Sequence, residues 1–207
     1  MNNVVKVRGV YKKFGQETVL EDVNLDLSEG VIHGIVGRNG SGKTVLMKCI
    51  LGFLKPTRGE ITVFGKQIGR DCDFAPHTGM IIETPGFMDT ESGLANLRYL
   101  RRLTAQNDAA ISPQEAMKVV GLDPGNKKPV GKYSLGMRQR LGLAQAIMEG
   151  PRLLVLDEPM NGLDNQGVED MRRLLLDFRS RGVTILLASH NPLDVSLLCD
   201  QVFTMDG

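Results

Sequence analysis

The sequence predicts an α/β chain with an antiparallel β part at its start and a helical insertion, and three observations lead there. Residues up to about position 30 alternate apolar and polar, as in VVKVRGV and VLEDVNLDLSEG, the pattern of strands with one buried and one wet face. Three short apolar runs show no alternation: VIHGIV from Val31, LLVL at 153–156 and VTILLAS at 183–189. Such runs suit strands buried on both faces of a parallel sheet, and the helical stretches between them supply the crossovers. Between Thr84 and Pro151 there is no comparable run, while helix punctuation is dense.

A length of 207 residues is ample for one compact domain with a small inserted lobe. The expected division is a single domain, 1–207, in which 1–84 and 151–207 form the α/β core with its antiparallel part and 85–150 the helical unit. Within that unit, Ser112-Pro113-Gln114-Glu115 sets a cap, a first-turn proline and a capping-box acid in order, and Gly121 supplies the stop. Leu94, Leu97, Leu100 and Leu103 recur on a second helix, and Ser134 starts a third that runs toward Gly150-Pro151.

Composition excludes several classes. The 25 Lys+Arg against 24 Asp+Glu give no basic footprint for nucleic acid and no acidic tail. No apolar run approaches the roughly 18 residues of a membrane span. The start MNNVVKVRGV lacks a secretory signal, and three distant cysteines, Cys49, Cys72 and Cys199, fit a reducing cytosol as small buried residues or free thiols. The oddity is 24 glycines, well above the usual level of about 7%.

Part of that excess has a chemical reason. Gly37-Arg38-Asn39-Gly40-Ser41-Gly42-Lys43-Thr44 fits the phosphate-loop pattern and lies between the run VIHGIV and the apolar stretch VLMKCILGF, the strand and helix that the pattern requires. Glycines let backbone N–H groups curl around an anion, and the helix that follows adds the positive end of its dipole. Lys43 can then reach the β- and γ-phosphates, and the Thr44 hydroxyl can sit on Mg²⁺. Downstream, Leu153-Leu154-Val155-Leu156-Asp157-Glu158 ends a buried strand in two acids at the sheet edge where ligands of parallel sheets bind. Asp157 is the metal-side acid and Glu158 the candidate general base.

The segment Tyr133-Ser134-Leu135-Gly136-Met137-Arg138-Gln139-Arg140, followed by the Asp157-Glu158-Pro159 run, resembles the signature region of ATP-binding cassette (ABC) ATPases, Leu-Ser-Gly-Gly-Gln and then Gln-Arg. Ser134, Gly136, Gln139 and Arg140 match; Tyr133, Leu135 and Met137 depart. The resemblance covers essentially the whole chain and implies a P-loop NTPase (RecA-like) core, with ATP and Mg²⁺ as cofactors. It assigns Phe14 to stacking on adenine, Gly162-Leu163-Asp164 to the loop facing a second copy, and His190 to the γ-phosphate. His33 and His77 are left structural.

Where the family usually has Gln, at the entry to the helical unit, this chain has Glu83, a candidate contact to nucleotide and metal. Glu83 with Tyr-Ser-Leu-Gly-Met resembles the bacterial subfamily linked to bacitracin and lantibiotic peptide export or immunity. The resemblance implies the ATP-hydrolysing subunit of a bacterial ABC transporter, pairing head to tail as a homodimer or heterodimer, with Ser134 and Gly136 of one copy closing on ATP held by the other. A separate transmembrane permease subunit would dock near Glu83 and the helical unit, where Arg98, Arg101 and Arg102 are candidates, and would hold the protein at the cytoplasmic side of the cell membrane. No nucleic-acid partner is expected.

Two rivals fit the sequence less well. A non-transport ABC ATPase of DNA repair, chromosome organisation or translation would bring a long heptad insertion, zinc-type cysteines, a basic face or a second cassette. A small-molecule kinase would have no use for the Ser134 segment or His190. The family also usually adds at least one strand after Phe203-Thr204-Met205-Asp206-Gly207.

Overall fold

The computed structural model describes residues 2–83, 86–103 and 110–205. The Thr84 boundary and the chain's last two residues lie outside them.

Two long strands open the chain, β1 (Asn3–Phe14) and β2 (Glu17–Ser28), paired antiparallel. Their alternation is an inside–outside pattern: Val5, Val7 and Val10 are fully buried while Lys6 and Arg8 between them are exposed. After β3 (Ile32–Val36) and α1 (Lys43–Leu51), β4 (Arg58–Val63) adds to the free side of β1 and β5 (Lys66–Gln67) to β4, giving a four-stranded antiparallel sheet of order β2-β1-β4-β5.

The second sheet is parallel throughout. It contains β3, β6 (Thr78–Ile81), β7 (Leu153–Asp157), β8 (Thr184–Ala188) and β9 (Gln201–Thr204) in the order β6-β7-β8-β3-β9. The three unbroken apolar runs are its centre, β7-β8-β3. The sequence reading found no strand in β6 or β9, which are the two edges. β6 has four residues interrupted by Gly79, and β9 exposes Gln201, Val202 and Thr204, so neither makes an apolar run.

Each central strand serves two cores. Leu153 and Val155 pack with the antiparallel sheet and α1, whereas Leu154 and Leu156 pack with the helices on the opposite face. β8 divides likewise, Leu186 to the first core and Ile185 and Leu187 to the second. Burial on both faces removes the polar half of the strand period, which explains the texture of these runs.

Between β6 and β7 stand α2 (Gly93–Leu103), α3 (Pro113–Val119) and α4 (Leu135–Ile147). The α3 start is a full capping box: Ser112 Oγ accepts from Glu115 N at 3.2 Å and Glu115 Oε2 accepts from Ser112 N at 2.8 Å. On α2, Leu97 is buried and Leu94 and Leu100 pack beside it, but Leu103 is 67% exposed. A spacing of three falls short of a helical turn, so three steps carry the side chain round to the opposite face. The chain continues through α5 (Asn165–Ser180) and α6 (Pro192–Leu198), which cover the second core. Among the described residues no helix is long and apolar enough to cross a membrane.

Candidate nucleotide site

The loop from Gly37 to Gly42 leaves the C-terminal end of β3 and feeds α1. Its shape depends on glycine at two points. A Cβ on Gly37 would lie 2.4 Å from Met205 O, and Gly42, at φ +90°, has Val19 O and Leu20 Cδ2 within 3 Å of where a Cβ would go. Lys43 is buried and its Nζ donates to Gly37 O at 2.7 Å and Arg38 O at 3.0 Å, so the ammonium lies folded on its own loop. Buried Ser41 Oγ has no hydrogen-bond partner among the described residues. A curled loop, a charged donor held by carbonyls it can exchange, and a spare hydroxyl form a cradle for a phosphate chain.

Thr44 begins the helix beside this loop, and its hydroxyl donates to Asp157 Oδ2 at 2.5 Å. Two oxygen groups predicted as metal ligands, 113 positions apart, are thus in contact. Hydroxyl and carboxylate are hard donors, and Mg²⁺ in phosphate sites takes only one or two carboxylates with the rest from water and phosphate, so this pair fits that ion.

Glu158 follows Asp157 with its backbone in the left-handed region, φ +50°. That conformation costs a non-glycine residue about 1–2 kcal/mol. Its N–H donates to Ala188 O at 3.0 Å, continuing the β7–β8 ladder by one bond, and its Oε2 lies 2.9 Å from His190 Nδ1. Behind His190, Ser189 is buried; its Oγ accepts from Asn191 N at 3.1 Å and meets Asp194 Oδ2 at 3.5 Å. Asp194 is itself held by Arg172 of α5, whose Nε and Nη2 donate to its Oδ1 at 2.9 and 2.5 Å.

A cleft of about 590 Å³ gathers most of these groups: Asn39, Gly40, Gly42, Lys43, Thr44, Glu83, Asp157 and Glu158 line it. Gly37, Arg38 and His190 line an adjoining cavity instead, together with Asn39. Glu83, at φ +58°, is ion-paired with Lys48 at 2.6 Å rather than with the Thr44–Asp157 pair. Phe14 is half exposed with Lys12 Nζ 4.9 Å above its ring; from the same hairpin it is Val19 that lines the cleft.

Ser134 and Asp164 act locally as helix caps. Ser134 Oγ accepts from Met137 N at 3.2 Å and Asp164 Oδ1 from Gly167 N at 2.8 Å. Neither lines the cleft, nor does Gly136, which packs near Leu163. The sequence reading missed Asn161, Gln139 and Lys48. Two of them had a signal: Gln139 matches the signature segment, and Lys48 stands four residues after Thr44, on the same face of α1.

A phosphate loop at the switch of a parallel sheet, facing paired acids, defines a P-loop nucleotide-binding cassette. The ABC transporter family model matches residues 20–161, and the chain belongs to that family as one of its ATP-hydrolysing cassettes. It is 38% identical over 205 residues to the bacitracin transport ATP-binding protein BcrA of Bacillus licheniformis, spanning 98% of this chain and 66% of BcrA. Identity to the lantibiotic transport ATP-binding protein SrtF of Streptococcus pyogenes is 35%, over 99% of this chain and 88% of SrtF. In fold it matches a dimeric ABC transporter cassette, MJ0796, with a TM-score of 0.86 at 23% identity, covering 98% of this chain and 94% of that one.

Proposed function

We propose that this chain is the energy-supplying subunit of a bacterial transporter that moves a peptide antibiotic of the bacitracin or lantibiotic kind, for export or immunity. The observation that carries the nucleotide half of this reading is the contact of Thr44 with Asp157 beneath the Lys43 loop. The substrate half rests on likeness to BcrA and SrtF and on Glu83 at the entry to the helical unit.

In this mechanism the N–H groups of the 37–42 loop and Lys43 hold the phosphates, Lys43 exchanging its two carbonyl partners for phosphate oxygens. Thr44 and Asp157 would hold Mg²⁺, which supplies charge neutralisation on the phosphates. Glu158 takes the proton of the attacking water, and His190, at hydrogen-bond distance from Glu158, fixes that carboxylate and would contact the γ-phosphate. Head-to-tail pairing brings Ser134 and Gly136 of a second copy to the cleft, with Asp164 at the junction. Phe14 contributes an aromatic face toward the base. Docking to a membrane permease beside Glu83, Arg98 and Arg102 would keep the protein at the cytoplasmic membrane surface.

The test is ATP turnover by the purified chain with Mg²⁺, alone and reconstituted with a candidate permease. Hydrolysis lost in Lys43→Ala and stimulated by the permease and peptide is expected. Turnover that Lys43→Ala leaves unchanged would refute the site, and absence of peptide response would refute the substrate class.

A further inference from the structure

We propose that Lys48 is a positioning residue that holds the Glu83 carboxylate aside so that a nucleotide can enter a cleft with an acid at its mouth. The inference rests on reading that cleft as a triphosphate site.

The geometry is specific. β6 ends at Ile81, in register with Leu156, so the chain leaves the sheet beside Asp157. Two residues later Glu83 turns through the left-handed region and lines the same cleft as Thr44 and Asp157. Its Oε1 accepts a hydrogen bond from Lys48 Nζ at 2.6 Å. Lys48 is the less exposed partner, 28% against 65% for the side chains, so it is the anchor and Glu83 the movable group. Lys48 also sits one helical turn beyond Thr44, which sets the carboxylate at a fixed remove from the hydroxyl.

A carboxylate facing a triphosphate repels it, whereas the glutamine usual at this place in the family would not. An exposed ion pair adds little to stability. The function of the pair is therefore to neutralise and restrain: bound to Lys48, Glu83 presents no free charge to the incoming phosphates. Released, it can swing toward them, and a divalent cation then screens the repulsion.

The experiment is fluorescence titration of the full chain with a labelled ATP, in EDTA and with Mg²⁺, for four variants. Lys48→Gln is expected to weaken metal-free binding about tenfold and Mg²⁺-supported binding about threefold or less. Lys48→Arg, and the double variant Lys48→Gln/Glu83→Gln, should bind within about twofold of the unsubstituted chain, all with unchanged melting temperature. A double variant as weak as Lys48→Gln alone means that Lys48 acts on the nucleotide directly and overturns the proposal, as does unaltered binding by Lys48→Gln. Lys43→Ala is the fourth variant: if it binds as tightly as the unsubstituted chain, the cleft itself has been misassigned, and the proposal falls with it.

Discussion

Glu158 Oε2 stands 2.9 Å from His190 Nδ1, so the acid that follows β7 and the imidazole that follows β8 meet across neighbouring strand ends. The parallel register sets the meeting: Asp157 pairs with Ala188, which brings the next residues of both strands out on the same edge. Glu158→Gln keeps the shape and removes the proposed base. It should bind ATP normally and turn over about 100-fold more slowly or worse. Steady-state phosphate release with Mg-ATP measures this, and turnover within about threefold of normal refutes the assignment.

The same variant serves to test pairing. With ATP retained, Glu158→Gln should shift from monomer to dimer, because ligand shared across an interface adds its binding energy to association. Adding Ser134→Arg should abolish the dimer and spare ATP binding, since Ser134 is exposed and does not itself line the chain's own cleft, which α4 meets through Leu135 and Gln139. Light scattering with and without ATP decides it; a dimer that survives Ser134→Arg leaves Ser134 as a helix cap alone.

The buried pair of Arg172 and Asp194 gives a stability prediction. The Asp194 side chain is 2% exposed and carries two donors from Arg172, which push the guanidinium further toward its charged form. Asp194→Ala leaves that charge without its main partner and should cost about 3–5 kcal/mol. Thermal unfolding should shift down by about 10 °C on that scale. Because Asp194 also meets Ser189, ATPase activity below the melting range should fall too, by a smaller factor than for Glu158→Gln.

His33 predicts a pH effect. Burial holds its pKa below 6.5, against the opposing pull of the Ser28 carbonyl and Asp200. The folded protein therefore keeps His33 neutral where the unfolded chain takes a proton. The stability this confers is complete above about pH 6.5 and is lost as pH falls from there through the depressed folded value. His33→Gln cannot titrate, so its melting temperature should drop less between about pH 7 and pH 5 than that of the unsubstituted chain. Parallel drops would remove His33 as the cause.

How much of this was readable in advance follows from what each residue contacts. Strands β3, β7 and β8 were legible because two-sided burial demands apolar residues without interruption. The loop 37–44 was legible because its function fixes residue types at fixed spacing. Strand β9 was not, since its neighbours cover so little of it that Gln201 and Thr204 are tolerated. The caps Ser112 and Ser134 could be placed locally, but the pairings of Glu83 with Lys48 of α1 and of Glu158 with His190 join segments distant in sequence, and the register of the parallel sheet brings them together.

One consequence of the divided interior concerns how this chain can change over time. Leu154 and Val155 are neighbours in sequence, yet they report to opposite sides of the sheet, which works as a partition wall. Substitutions on one side are buffered from the other because close-packed contacts do not run through the wall except along its own backbone. The α2–α4 side can thus be refurnished while the loop, Thr44 and Lys48, rooted in the opposite compartment through Leu46 and Met47, keep their geometry.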